Sequence, residues 1–410
     1  MASQLPEGEP VAVDGSLPEQ VLVGAEDRTF HAYLHIPFCR VRCGYCDFNT
    51  YTATELDGVS QASFAGVMQR EIEFSADAIA RAGLPVRKLS SVFFGGGTPT
   101  QLPASDLVAL LDSLRSKFGL VEGAEVTTEA NPDNLDEDYL AELKAGGFTR
   151  VSVGMQSAVA SVLKVLDRTH DPLKVPSVAA AVKAAGLSVS VDLIYGAPGE
   201  SVDDWRESLS AAISMQPDHI SAYSLIVEEG TKLARQISRG ELHSPDEDEQ
   251  ATKYELADEM LSAAGFSWYE VSNWSKSPET RSRHNLAYWR SNDWWGYGPG
   301  AHSHIGGVRW WNVKHPAPYS AALAGGVSPG AGRELLSDAT RLEERILLEI
   351  RIKPGLQVSV ARELPSFKPE IIAGFIANGL VEPAAAFAGQ LELTLKGRLL
   401  ADSLVRDLLG

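Results

Sequence analysis

Along the first half of the chain, short runs of β-branched and aliphatic residues alternate with stretches whose apolar positions recur at helical spacing. The runs at 30–36, 91–94, 125–129, 150–155, 188–194 and 219–226 read as strands. Helical patterns lie between them, at 105–118, 136–145, 172–185 and 203–215. This alternation predicts a parallel sheet, because parallel neighbours need a crossover connection and a helix is the usual one. Six strands predict an α/β fold of the three-quarter β/α-barrel type, since a full eight-stranded barrel takes roughly 250 residues.

The pattern changes beyond residue 240. An acidic stretch, His243-Ser-Pro-Asp-Glu-Asp-Glu-Gln, leads into a helix at 252–264 and then an aromatic-rich segment up to Tyr319. From about Leu335 the order reads helix, helix, helix, short hairpin, helix, with Gly379-Leu-Val-Glu-Pro and Leu391-Glu-Leu-Thr-Leu flanking a wing-like turn. The expected division is a mobile tail at 1–27, the partial barrel at 28–240, an aromatic-rich domain at 241–330 and a winged-helix-like module at 331–410. The last two make a smaller carboxyl-terminal α+β region.

Composition narrows the partners. Fifty-four acidic residues against 36 basic ones leave a net charge of −18, which repels nucleic-acid phosphate and anionic lipid. The carboxyl-terminal module is not notably basic, so domain packing is expected of it rather than DNA binding. No apolar run approaches a membrane span, and the amino terminus lacks the basic and apolar regions of a signal peptide. A reducing cytoplasm is the expected location, because the thiols are free.

All three cysteines, Cys39, Cys43 and Cys46, fall within eight residues, spaced C-x3-C-x2-C. Electron-transfer clusters take four thiolates, so three would leave one iron of a cubic [4Fe–4S] cluster open. Zinc is the competing reading, with Asp47, His35 or a distant histidine as the fourth ligand. Three buried hydrophobic cysteines are a weaker account, and an odd count without a signal peptide argues against a disulfide. The loop follows the first strand, on the carboxyl-terminal face where barrel active sites are built.

Other features fall on the same face. Phe93-Phe94-Gly95-Gly96-Gly97-Thr98-Pro99-Thr100 closes the second strand, and its glycines permit close backbone approach by a ligand. Amides there can bind a carboxylate; a tight turn is the alternative. Glu129, Gln156 and Asp192 stand in or at the ends of strands, and Arg168 follows in Leu-Asp-Arg-Thr-His. Each alone is also explained by a cap or by a buried pair such as Arg168–Asp192.

The cysteine spacing after a strand, followed by Gly-Gly-Gly-Thr-Pro, resembles the radical S-adenosylmethionine (SAM) superfamily. In that resemblance the open iron binds the amino and carboxylate groups of S-adenosylmethionine, and an electron from the cluster can cleave its sulfonium. Tyr45 would then lie beside the adenine, and Gly96, Gly97 and Thr98 beside the methionine part. Glu129 and Tyr33 would also contact S-adenosylmethionine, and Gln156, Arg168 and Asp192 would make further ligand contacts. The segments YLHIPFC, FGGGTPT, Glu-x-Asn-Pro, GMQS and DLIYGAPGES, in that order, resemble the oxygen-independent coproporphyrinogen oxidase-like branch over residues 29–400. The oxidases of that branch carry a fourth cysteine two positions after the third, where this chain has Phe48. The haem chaperones of the HemW type show Cys-Asp-Phe and a later H-N-x-x-Y-W, and Cys46-Asp47-Phe48 and His284-Asn285-Leu286-Ala287-Tyr288-Trp289 match both.

Seven of the eight tryptophans lie between Trp268 and Trp311. Flat side chains can stack on a macrocycle, and a histidine can ligate haem iron. They can equally fill the core of a small domain. The resemblance makes His284 the expected axial ligand, with Asn285, Tyr288 and Trp289 shaping the site. His302 and His304 form an H-x-H pair that would share one face of a strand, although a hydrogen-bonded turn explains it equally.

The leading expectation is a protein that holds haem and hands it to acceptor proteins. No residue is expected to be catalytic, a low-potential electron donor is implied, and a homodimer is kept open. The alternative is an oxygen-independent coproporphyrinogen III oxidase.

Overall fold

The computed structural model describes residues 7–410. Twelve strands form one sheet: β1 (Phe30–Ile36), β2 (Leu89–Gly96), β3 (Leu120–Ala130), β4 (Arg150–Gln156), β5 (Ser188–Tyr195), β6 (His219–Ser224), β7 (Ser267–Glu270), β8 (Asn273–Ser275), β9 (Asp293–Tyr297), β10 (His302–Ile305), β11 (Val308–Asn312) and β12 (Gly330–Leu335). Their order is β12-β11-β10-β9-β1-β2-β3-β4-β5-β6-β8-β7. β1 to β6 pair in parallel, each with the next, as the alternating pattern predicts. The crossovers are helical, among them α1 (Gln61–Arg81), α2 (Ala104–Phe118), α3 (Glu137–Gly146), α4 (Ala160–Val165), α5 (Val175–Ala184) and α6 (Val202–Ser214), and α7 (Lys232–Ser238) follows β6.

The sheet curls. Residues of β1 to β6 line a single cavity, including Thr127 and Glu129, then Arg150, Ser152, Gly154 and Gln156, then Ser190 and Asp192, then His219 and Ser221. These positions differ by two, so one face of every strand points inward. The opposite face, with Val151, Val153, Val189, Val191 and Ile220, is packed into the main hydrophobic core.

Two features differ from the expected division. Residues 241–330 form no separate domain: β7 and β8 extend one edge of the sheet, and β9 to β12 extend the other. β9 pairs in parallel with β1, and Phe30 faces Asp293 across the join. Most of the tryptophans complete the core, with Trp268, Trp274, Trp295 and Trp310 buried in it. They form no stacking platform, because a sheet edge needs large side chains to cover it. Of the expected tail, residues 1–6 lie outside the described residues. The rest is a packed strap: Glu9 and Arg333 exchange backbone hydrogen bonds of 2.8 Å, and Val21 is fully buried.

The carboxyl-terminal module has a core of its own, including Ile346, Leu356, Phe375, Leu391 and Leu404. Its helices include Asp338–Glu349, Pro369–Ala377 and Ala401–Leu409. The expected wing is interrupted: helix Pro383–Phe387 separates its two flanks, which meet through a single bridge, Val381 to Leu393. Gln390–Leu391 pairs instead with Leu356–Gln357. Arg398 ties the module to the sheet-covering helix α8 (Glu247–Ala263) through two 2.8 Å bonds to Asp258 and stacks over Trp268 at 4.5 Å.

The extended edge is anchored by one carboxylate. Glu71 of α1 is buried and accepts from the Gly298 amide and the Asn312 side chain, each at 2.7 Å, and from the Tyr319 hydroxyl. Burial outweighs these three donors and pushes its acidity up to about 7 from an ordinary 4.5. The folded state therefore holds this proton more tightly than the unfolded state. Its contribution is complete below the unfolded value and is lost as pH rises through the folded one. Titrating the native chain between pH 4.5 and 7 should remove about 3 kcal/mol of unfolding free energy that Glu71→Gln does not lose. Parallel curves for the two proteins in denaturant titrations across that window would reject this account.

Candidate functional site

The cavity within the curled sheet has a volume of ≈ 540 Å³ and opens at the carboxyl-terminal ends of β1 to β6. All three cysteines line it. Their loop is held by backbone bonds from the Cys39 amide to the Tyr51 carbonyl at 2.9 Å and from the Leu233 amide to the Gly44 carbonyl at 2.9 Å. Burial pushes the Cys39 thiol up to about 11 and raises the Cys46 thiol as well. These thiols stay protonated at neutral pH until a metal displaces the proton. Arg168 places a guanidinium nitrogen 3.6 Å from the Cys43 sulfur, where it offsets thiolate charge.

The residues fit a cluster better than a single ion. Among the described residues no group of three or more His, Cys, Asp or Glu converges on one ion-sized point. A cubic cluster has its thiolates on separate irons and needs no such convergence. His35, one expected zinc ligand, is engaged at both ring nitrogens, by the Tyr33 hydroxyl at 3.1 Å and the Asn49 carbonyl at 2.9 Å. A Cβ at Gly97 would stand 2.9 Å from the Cys39 sulfur and 2.6 Å from the Phe38 carbonyl oxygen, so glycine leaves the room beside the thiols.

The glycine segment is stitched to the cysteine loop. The Gly97 amide donates to the Ile36 carbonyl and the Thr98 amide to the Phe38 carbonyl, each at 2.8 Å. The Gly96 amide donates to Glu129 at 3.2 Å. The amides expected to bind a carboxylate are therefore spent internally. The segment offers the cavity open space and the Thr98 hydroxyl, which lies 3.8 Å from the Cys39 sulfur.

Tyr33, Tyr45, Gly96, Gly97, Thr98, Glu129, Gln156, Arg168 and Asp192 all line the cavity, so the structure brings every expected S-adenosylmethionine residue together. Burial pushes the Glu129 carboxyl up to about 8, helped by Asp192 and opposed by the Gly96 amide. Burial also raises Asp192. The expected Arg168–Asp192 pair does not form: Asp192 accepts from Ser152 at 2.7 Å, and Arg168 donates to the Gly154 carbonyl at 2.7 Å. Gln156 has a φ of +64° at an irregularity in β4, a costly backbone for a non-glycine residue. Thr127 Oγ1, Asn134 Nδ2 and Arg168 Nε are buried polar atoms of the lining without a hydrogen-bond partner, so the cavity is built for a polar ligand.

The floor comes from far along the chain. Helix α9 (Arg283–Trp289) enters beneath the sheet, its first amides held by the buried Glu125 of β3 at 3.0 Å to Arg283 and 3.2 Å to His284. Arg150 braces the arrangement, 3.4 Å from Glu125 and 2.6 Å from the Thr280 carbonyl. His284, Asn285 and Tyr288 line the cavity. Trp289 does not; it packs against a separate cluster of Tyr269, Leu286 and Ile352. His284 is sealed at both ring nitrogens, bonding Ser91 Oγ at 2.8 Å and Tyr288 Oη at 2.9 Å, and its ring stacks on Phe93 at 5.1 Å. Burial holds it neutral, well below its ordinary acidity. His304 is likewise engaged twice, by the Asn292 carbonyl and the Gly307 amide, so His302 and His304 form no metal pair.

Sequence reasoning passed over Arg150, Ser152, Ser190, His219 and Ser221, all in the lining. A signal existed. Serine, aspartate and histidine alternate with valine and isoleucine in β4 to β6, where strands buried on both faces ordinarily run apolar throughout.

Comparison with known proteins places these features. The model of the radical SAM superfamily matches residues 33–212. The heme chaperone HemW of Mycobacterium tuberculosis (strain ATCC 25618 / H37Rv) is 48% identical over 382 residues, 93% of this chain and 95% of its own length. The heme chaperone HemW of Bacillus subtilis (strain 168) is 31% identical over 386 residues, 92% of this chain and 99% of its own. Among solved structures, coproporphyrinogen III oxidase (HemN) from Escherichia coli shares the fold with a TM-score of 0.76, over 98% of this chain and 96% of that one, at 21% identity.

Gly97→Ala should cost about 1–3 kcal/mol by overpacking and lower the iron and acid-labile sulfide recovered after anaerobic reconstitution. Full iron content in this variant would show that the space beside Cys39 is not needed.

Proposed function

Because the chain belongs to the HemW family of the radical SAM superfamily, we propose that it is a haem chaperone, which binds haem and transfers it to acceptor proteins. The observation that carries this reading is the near end-to-end likeness to curated haem chaperones, at 48% identity over 93% of the chain. Phe48 supports it. The side chain is 56% exposed and lines the cavity mouth, and it stands where the resemblance gives the oxidases a fourth cysteine.

In this reading Cys39, Cys43 and Cys46 hold a [4Fe–4S] cluster, and Tyr33, Tyr45, Gly96, Gly97, Thr98, Glu129, Gln156, Arg168 and Asp192 surround S-adenosylmethionine. When bound, the cluster would supply one iron open to that ligand and a single electron from a low-potential donor. Arg168 neutralises thiolate charge, and Glu129, protonated or ionised near neutral pH, meets the ligand's polar groups. Haem is the cargo, and a planar macrocycle suits the aromatic faces of Phe93, Tyr33 and the exposed Phe48 and Tyr223, with the exposed aliphatic Ile226 beside them at the mouth. Helix α9 supplies the residues expected to meet it, with Trp289 positioning the helix from behind. Function in a reducing cytoplasm keeps the three thiols available.

The test is anaerobic. The reconstituted chain should bind haem with a Soret band and should not convert coproporphyrinogen III to protoporphyrinogen. Turnover would establish the oxidase instead. Cys43→Ser should abolish the cluster's spectroscopic signal while haem binding persists, as measured by iron–sulfide analysis and haem titration in parallel.

A further inference from the structure

A line of hydrogen bonds runs through the sheet from solvent to the cavity floor. Thr29 is exposed. Its Oγ1 lies 2.7 Å from His31 Nε2, and His31 Nδ1 lies 2.7 Å from Ser91 Oγ. Ser91 Oγ lies 2.8 Å from His284 Nδ1, and His284 Nε2 lies 2.9 Å from Tyr288 Oη. His31, Ser91 and His284 are buried, and Tyr288 faces the cavity.

The chemistry of the five groups matters more than their number. Each hydroxyl has one proton to donate and a lone pair to accept, and each neutral imidazole has one N–H and one bare nitrogen. Each imidazole is bonded at both nitrogens by a hydroxyl, which can donate to one nitrogen and accept from the other, so each is satisfied as the neutral tautomer. The line therefore has two self-consistent polarities. In one, every donor points outward from Tyr288 to Thr29; in the other, every donor points inward. Passing a proton outward along the line converts one polarity into the other and changes the charge of Tyr288 alone.

This arrangement also decides which atom of the helix is free for iron. His284 can ligate only by surrendering a bond at one of its two engaged nitrogens. Tyr288 lines the cavity and its Oη has one hydrogen-bond partner among the described residues, and phenolate is an established ligand class for ferric haem.

We propose that the Tyr288 phenolate oxygen is the ligand to ferric haem iron in this protein, and that His284, Ser91, His31 and Thr29 conduct the released proton to solvent. The proposal rests on the haem-chaperone reading and names its ligand atom. The step balances without a redox change. The Tyr288 O–H bond breaks and the water carried by the ferric iron leaves as the O–Fe(III) bond forms, and the proton passes to His284 Nε2. The Nδ1 proton of His284 moves to Ser91, the Ser91 proton to His31 Nδ1, the His31 Nε2 proton to Thr29, and the Thr29 proton to water. The reversed line leaves His284 Nε2–H donating to the phenolate, which stabilises the anion against its burial. Transfer to an acceptor runs the line backwards: reprotonation of Tyr288 releases the iron.

The experiment is titration of the reconstituted full chain with ferric protoporphyrin IX haem in weak buffer with a pH indicator. The native chain should give a high-spin ferric spectrum with a phenolate-to-iron charge-transfer band and release one proton per haem bound. Tyr288→Phe should lose both the band and the proton, with affinity weaker by about tenfold. Ser91→Ala interrupts the line without touching the ligand, and should keep the band while slowing proton release at least about tenfold. Tyr139→Phe, which removes a phenol outside the cavity, should keep band and proton alike. Persistence of the band in Tyr288→Phe, or a nitrogen-ligated low-spin spectrum that disappears in His284→Ala, overturns the proposal in favour of another ligand. Failure of the native chain to bind haem at all overturns the chaperone reading itself, and is told apart by the absence of any Soret shift.

Discussion

The parallel join between β1 and β9 is the contact on which the site depends. It pairs strands separated by some 260 residues and sets Phe30 opposite Asp293. Asp293 fixes the join. Its carboxylate is fully buried, accepts from Arg28 at 2.8 Å and Arg87 at 2.5 Å, and also takes the Gly306 amide at 2.9 Å. One carboxylate thereby links the strap before β1, the approach to β2, and the turn after β10. A buried charge so thoroughly paired is costly to break, by about 3–5 kcal/mol when one partner is removed. The join brings the chain just after α9 against β1, and Glu125 and Arg150 then hold α9 beneath the sheet as the cavity floor.

Within that frame, polar residues occupy positions where apolar ones would be cheaper. The inner faces of β3 to β6 carry the buried Arg150, Ser152 and His219 and the half-buried Glu129 and Asp192, most of them paired. Some pairings are structural. Arg150 and Glu125 hold α9, and His219 links Ser190 to Tyr269 with bonds of 2.7 and 2.8 Å. Others leave capacity unused, as at Thr127, Asn134 and Arg168. Unused capacity of this sort is expensive in a finished core and is natural in a cavity that a ligand completes.

Much of this was legible in the residues. Every parallel strand appears where β-branched runs stand, because a strand buried on both faces must be apolar wherever it meets the helices. The cysteine loop and glycine segment were legible for a different reason: both are local, and a few neighbouring residues carry the whole chemistry. The strand-end residues Glu129, Gln156 and Asp192 followed from their place in the barrel order. The reading failed where the outcome depended on partners distant in sequence. Seven clustered tryptophans looked like a domain or a stacking surface, yet four of them, Trp268, Trp274, Trp295 and Trp310, are buried in the main core at strands whose positions no local pattern discloses. The glycine amides looked available until the cysteine loop folded over them.

His284 shows the division most sharply. The resemblance made it the expected axial ligand, and the structure places it on the cavity lining. Its role was not legible, because Ser91 and Tyr288 occupy both ring nitrogens, and Ser91 reaches it from a strand some 190 residues earlier. By itself, then, the sequence determined the parallel sheet, the cysteine triad and the chemistry those thiols can support. Periodicity and short-range spacing act over a few residues, and the chain carries them in full. Tertiary structure alone decided where the cavity floor comes from, which amides and imidazoles are already spent, and which oxygen remains free. Hydrogen-bond satisfaction is a property of neighbours in space, and the register of β1 against β9 is what makes these residues neighbours.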